Sequence, residues 1–267
     1  MSATVIRRGT PASIRVWEAQ VITVWRAWKS SALLSMLQPL VFLGGMGFGV
    51  GALVDERAGS GAALGGLGYL AFLGPALMAT TAMQTATFEA SYPVMDGFKW
   101  RRAFEAMTAT PVSPRDVVDG MVLWWASRIL LGVVGVALVL AVIPTTRGWG
   151  LIPAALGATL CGMVFATAMG AWTSTREGEA SFAAIQRFVV IPLFLFGGAF
   201  YPVDSLPSAL RPVAWVTPLW HGVELSRGLT TSGITLAAAL GHLAYLTALA
   251  LAGYLTCRVT FHRRLTR

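Results

Sequence analysis

Charge is what this chain lacks most. Only 12% of its 267 residues are Asp, Glu, Lys or Arg, about half the share of an ordinary soluble domain. Lysine is nearly missing, with Lys29 and Lys99 alone. Cysteine occurs twice, at Cys161 and Cys257. Neither has an extracellular partner, so the sequence implies no disulfide framework, and each reads as a small buried apolar residue. The nucleotide and hydrolase motifs are missing as well. Without a G-x-x-x-x-G-K-[ST] stretch, the chain binds no ATP through a P-loop. G-x-S-x-G and H-E-x-x-H are also lacking. Only three histidines are present, His221, His242 and His262. His221 and Glu224 make an H-x-x-E with Arg227 one turn on, which reads as a local surface pairing rather than the start of a metal site. The expectation is therefore no catalytic, cofactor or metal site in this chain. A membrane-embedded transferase would need His, Asp or Glu clustered at one interface, which the sequence does not offer.

Apolar residues are abundant instead: 55% of the chain, with 10 Trp and 13 Phe. A hydrocarbon core of about 30 Å takes about 20 apolar residues as helix, because every backbone polar group must be bonded internally. Six segments qualify: Ala32–Val54, Leu67–Ala90, Val118–Ile143, Trp149–Trp172, Phe182–Phe200 and Ile234–Cys257. Gln186, Arg187 and Pro192 interrupt the fifth. The expected fold is an all-α polytopic membrane protein. No cleavable signal peptide is expected, because the first apolar run follows a charged, Trp-rich stretch and exceeds a typical signal core. In the first span Gly45/Gly49 and Gly47/Gly51 make small-xxx-small pairs that allow close helix packing.

The net charge is +8. A basic protein can bind nucleic acid, but the placement of the charge gives another reading. Fifteen basic residues fall in the N-terminal segment, the loops after spans two and four, and the C-terminal tail; four (Arg57, Arg147, Arg211, Arg227) fall on the opposite side. That is the positive-inside pattern. It predicts both termini in the cytoplasm, a multi-pass protein of the plasma (inner) membrane, and no nucleic-acid partner. Three regions follow: a cytoplasmic N-terminal segment (1–31), a six-span domain (32–257) and a basic cytoplasmic tail (258–267).

Two flanking segments read as partly buried helices. In ASIRVWEAQVITVWRAWKSS, Ile14, Trp17, Val21, Val24, Trp25 and Trp28 recur at helical spacing, with Arg15, Glu18, Arg26 and Lys29 largely elsewhere. That describes an interfacial amphipathic helix, either a surface anchor or a lever joined to span one. On the outer side, YPVDSLPSALRPVAWVTPLWHGVELSRGL is too apolar for a solvated loop. Two short helices dipping into the outer leaflet fit it, the second capped by Thr217–Pro218.

Ionisable residues within spans are costly, and two stand out, Glu89 and Arg128. They read as a pair that fixes helix packing, or as snorkelling side chains. A proton relay would need more acids deeper in the membrane. Thr80, Gln84 and Thr87 fall on one face of span two, suiting either a helix–helix seam or a pathway wall. Met78 and Met83 would add an adaptable surface for apolar cargo.

The segment MDGFKWRRAFEAMTATPVSP (95–114) is the odd one, charged and proline-terminated between two apolar spans. Asp96 can cap a helix there, and Thr110–Pro111 would stop it. Trp100, Ala103, Phe104 and Met107 then form an apolar stripe, with Lys99, Arg101, Arg102 and Glu105 on the remaining face and Phe98 near it. Arg101 and Glu105 would pair across a turn. Ser113 or Asp116 would cap span three.

Taken with RFVVIPLFLFGGAFYPVDSLP and TPLWHGVELSRG, the stretch FEASYPVMDGFKWRRAFEAMTATPVSPRDVVDG resembles the membrane subunits of type-2 ABC exporters. The resemblance covers roughly residues 12–265. It is closest to the nodulation-factor exporter (NodJ-like) branch and next to the daunorubicin-type drug exporters. It implies that Phe98–Thr108 is a coupling helix docking in a separate ATPase subunit, through Phe98, Lys99, Arg101, Arg102 and Glu105. It implies a re-entrant pair at Ser205–Leu229 and a connecting helix at Trp17–Lys29. Partners would be two ATPase copies, which hold the ATP and Mg, and a second permease copy, identical or different. The cargo would be amphiphilic: a lipid, a lipo-oligosaccharide or glycolipid, or a hydrophobic drug. Thr80, Gln84, Thr87 and Met83 are the candidate pathway residues. The alternative is a secondary transporter or channel that works without an ATPase.

Overall fold

A computed structural model describes residues 10–25, 41–57, 64 and 67–266. Trp28, Lys29 and the first part of the first expected span lie outside the described residues. Among those described there is no strand, and the elements are helical throughout. We number them α1 (Ala12–Trp25), α2 (Leu43–Val50, π-helical, running into Gly51–Arg57), α3 (Tyr69–Glu89), α4 (Tyr92–Met95), α5 (Ala103–Thr108), α6 (Pro114–Val142), α7 (Leu151–Thr173), α8 (Phe182–Phe196, in three pieces), α9 (Arg211–Val216), α10 (Pro218–Thr231) and α11 (Leu236–Leu265).

Three of these helices, α6, α7 and α11, are long and apolar enough to cross a membrane. At 1.5 Å per residue the 29 residues of α6 extend about 43 Å. Its start is fixed by a capping box: Asp116 N–H donates to Ser113 Oγ at 3.2 Å, and Ser113 N–H donates to Asp116 Oδ2 at 2.9 Å. Helix α11 holds 30 residues and runs to Leu265 without a proline. The helix continues past the expected division at 258: Arg258, Arg263 and Arg264 belong to the last turns of α11, which Phe261 anchors by full burial.

Helix α8 departs further from expectation. In place of one span over Phe182–Phe200, it has Phe182–Ile185, a π-helical Gln186–Val190 and Ile191–Phe196. Its 15 residues extend about 22 Å, short of a bilayer core. Pro192 has no N–H to continue the ladder, and Gly198 with φ 79° ends it. Phe188 and Val189 are left exposed.

The core is a bundle centred on α7, which packs against α3, α6, α10 and α11. Leu73, Met78, Met83, Trp125, Ile129, Leu219, Leu225 and Leu246 fill it. Close approach is built in where α10 crosses α7: a Cβ on Gly222 would lie 2.5 Å from Cys161 Sγ. Both cysteines are free and buried. Helix α1 lies on α6, with Val16 buried and Trp17 Nε1 donating to Ser127 Oγ at 3.1 Å. Val16 lies outside the stripe that the spacing picks out, since α6 rather than a flat membrane surface is what the helix covers. In α2, Gly47 and Gly51 face Leu70 and Tyr69 of α3, whereas Gly45 and Gly49 face nothing nearby.

Candidate functional site

The charged segment after α3 is an elbow, not one helix. Helix α3 ends at Glu89 with Ala90 as its C-cap, and Pro93 lies in the first turn of α4. The chain continues as a π-helical turn over Asp96–Trp100, closed by Arg101 N–H donating to Asp96 O at 2.9 Å. Arg102 then takes a left-handed conformation, φ 50°, and α5 begins. The expected helix over Phe98–Thr108 is therefore broken at Arg101–Arg102. The reason lies in the two phenylalanines. On an unbroken helix, residues six apart point about 120° away from each other. The break brings both to the same side: the rings of Phe98 and Phe104 are 4.8 Å apart, and each meets Phe261 of α11, at 4.9 and 5.9 Å. Gly97 makes room, since a Cβ there would lie 2.4 Å from the Phe104 ring.

The expected faces change with it. Phe98 is buried at 3% exposure, so it holds the elbow from within rather than presenting itself to a partner. Trp100, expected in the apolar stripe, is 52% exposed. Arg101 pairs with Asp96, and Arg102 with Glu105 at 3.4 Å, so the expected Arg101–Glu105 pair does not form. Asp96 thus serves as Arg101's partner and not as a helix cap. The outer surface of the elbow carries Lys99, Trp100, Arg101, Arg102 and Glu105. Lys99 Nζ reaches the Glu177 carbonyl beyond α7, at 2.8 Å.

Above the elbow, Glu89 and Arg128 meet. Arg128 Nε lies 2.9 Å from Glu89 Oε1, and Trp124 Nε1 donates to Glu89 Oε2 at 3.1 Å. Thr80, Thr87 and Met83 are buried in the chain's own core. The threonine hydroxyls donate to carbonyls of their own helix, Leu77 and Met83. Of the four pathway candidates only Gln84 stays half-exposed. The more open side of α3 carries half-exposed Thr81, Gln84 and Thr85 and exposed Phe88, with Thr81 and Thr85 beside Gly132 of α6. Spacing picks out a face of α3 but not whether that face is open, because burial of the Thr80–Thr87 side depends on α7 and α10.

At the opposite end, Thr217 caps α10 by accepting from Trp220 N–H. Arg227 is buried: it pairs with Glu224 at 2.7 Å, donates to the carbonyls of Phe72 and Gly198, and lies over the Phe72 ring at 3.7 Å. His221 is not part of that group. Its Nδ1 lies 2.8 Å from His242 Nδ1 on α11, and its ring stacks on Tyr245 at 3.9 Å. Burial pushes the His221 pKa down to about 4; His242 adds to the shift, and a hydrogen bond to the Trp215 carbonyl opposes it. Nothing in the spacing of two lone histidines could have announced this contact. Among the described residues no three His, Cys, Asp or Glu converge on a metal position.

Residues 13–230 match the family model described as ABC-2 type transporter. The chain is 33% identical over 230 residues to nodulation protein J of Rhizobium leguminosarum bv. trifolii, covering 85% of this chain and 84% of that protein. It is 32% identical over 254 residues to nodulation protein J of Rhizobium leguminosarum bv. viciae, covering 92% and 95%. The Bradyrhizobium diazoefficiens protein of the same name is 30% identical over 265 residues, covering 96% and 97%. With a family match over most of its length, and apolar helices long enough to cross a bilayer, this integral membrane protein belongs to the ABC-2 type transporter family.

Proposed function

We propose that this chain is the inner-membrane permease subunit of an ATP-driven exporter, with six membrane segments, the fifth (α8) short and broken, and both termini in the cytoplasm. One observation carries the coupling part of this reading. The elbow at residues 96–108 exposes a basic surface while its aromatic underside is locked to α11. A chain without a P-loop needs such an element to receive work from one that has it. The docking contacts are Lys99, Arg101, Arg102 and Glu105, with Trp100 added by its exposure. ATP and Mg belong to two copies of the ATPase subunit. Closure of those subunits would shift the permease between inward- and outward-facing states. A second permease copy is supported by the exposed apolar side chains of α8, Phe188 and Val189, which this chain leaves uncovered. The cargo is amphiphilic, a lipid, glycolipid or hydrophobic drug. The more open side of α3 suits it, because hydroxyl, amide and aromatic groups stand there without charge.

The rival reading, an ion-driven transporter working alone, finds little support. Glu89, the acid that a proton relay would use, is already paired with Arg128 and Trp124. Co-expression with the ATPase subunit and purification through a tag on this chain decide between them. We expect a complex in which ATP hydrolysis rises with an amphiphilic cargo. Gradient-driven transport by this chain alone, with no ATPase retained, would refute the exporter reading.

A further inference from the structure

Where α11 ends, one side chain joins three separate elements. Arg264 Nη1 lies 2.7 Å from the carbonyl oxygen of Arg176, 3.1 Å from that of Ser174 and 3.3 Å from that of Thr173. These carbonyls close the C-terminal end of α7, where a helix leaves acceptors unmet and its dipole favours a cation. The same guanidinium lies over the ring of Phe98, 4.3 Å from its centroid. Phe98 is the buried foot of the elbow and touches Phe261, one turn before Arg264 on α11. Lys99 adds a direct bond from the elbow to Glu177, in the same segment beyond α7.

We propose that Arg264 is a positioning residue for energy coupling: it fastens the elbow to the end of α7, so that elbow, α7 and α11 move as one unit. This rests on the reading of the elbow as the ATPase-docking element and adds a route by which its displacement enters the bundle. Without the fastening, the elbow would still be held by its aromatic contacts and by its neighbours in the chain, α3 and α6. Its direct polar contact with the end of α7, the helix at the centre of the core, would then rest on the Lys99 bond. Arginine suits the position because one planar group both stacks on an aromatic face and donates in its own plane. Lysine keeps the charge and loses the combination.

The test uses the whole complex, permease with ATPase subunit, in lipid nanodiscs. Arg264→Ala, Arg264→Lys and Arg264→Gln are compared with the unmodified chain. Three quantities are read: ATPase subunit retained, cargo-stimulated hydrolysis over basal, and the distance distribution between spin labels at Ala109→Cys and Glu179→Cys. Both label sites are exposed, and the native cysteines are buried. We expect each Arg264 variant to retain the ATPase, to lose about threefold to tenfold of its stimulation, and to broaden the label distance. Arg264→Lys should rescue only part of the stimulation. Normal stimulation with an unchanged distance in Arg264→Ala would overturn the proposal. So would loss of the ATPase from all three variants, which would make Arg264 part of docking or folding. Failure of the unmodified chain to retain any ATPase would instead overturn the docking reading itself.

Discussion

Arg128 Nε lies 2.9 Å from Glu89 Oε1, joining α6 to α3 through side chains only 13% and 9% exposed. Removing one partner strands a charge in low dielectric, whereas replacing both with apolar groups of similar volume does not. Glu89→Ala should therefore destabilise the purified protein by about 3 kcal/mol or more. The pair Glu89→Leu with Arg128→Met should recover most of that loss. Thermal unfolding in detergent or nanodiscs measures both. A double variant no more stable than the single one would show that Trp124, which also bonds Glu89, needs the carboxylate for itself.

The elbow's shape depends on an absent methyl group. A Cβ at Gly97 would lie 2.4 Å from the Phe104 ring, well inside contact distance. Gly97→Ala should push Phe104 off Phe98 and Phe261, at a cost of about 1–3 kcal/mol, as overpacking usually does. Adding Phe104→Leu should relieve the clash and restore part of the loss. Protease cleavage between Lys99 and Arg102 reports the loosening. Wild-type resistance in Gly97→Ala would mean that the ring has another place to go.

The basic surface of the elbow should act through charge. Arg101→Glu with Arg102→Glu should weaken retention of the ATPase subunit about tenfold or more, with the defect steepest at low salt. The left-handed backbone at Arg102 is no harder for glutamate than for arginine, so the substitution tests charge rather than strain. Arg101→Lys with Arg102→Lys is the control that keeps the sign. Salt-independent retention in the reversed variant would remove electrostatics from the docking account.

The sequence shows some of this plainly and hides the rest. Ser113–Pro114 and Thr217–Pro218 announce helix starts because a cap depends only on residues a turn away. The Glu89–Arg128 pair is legible because a charge within an apolar span has few other remedies. The break at Arg101–Arg102 is hidden, since nothing local forbids a helix there. The force that breaks it is the shared burial of Phe98 and Phe104 on Phe261, more than 150 residues further on. The burial of Thr80, Thr87 and Met83 is hidden for the same reason. Period 3.6 identifies a face, but only the packed neighbours decide whether it is an open wall or a seam.

His221 makes the far end of the bundle sensitive to acid. Folded, its pKa is pushed down to about 4 by burial and by His242; unfolded, it returns to its ordinary 6.5. Above that ordinary value both states are neutral, and the contact between α10 and α11 keeps its full strength. As pH falls from there toward about 4, the unfolded chain takes up a proton that the folded one resists, so stability declines. Between the two neutral rings one Nδ1 donates and the other accepts. A proton on the accepting nitrogen would set two donors against each other at 2.8 Å. His221→Gln should flatten the pH dependence of the melting temperature over this window while lowering its value near neutrality. An undiminished acid slope in His221→Gln would assign the sensitivity to another group.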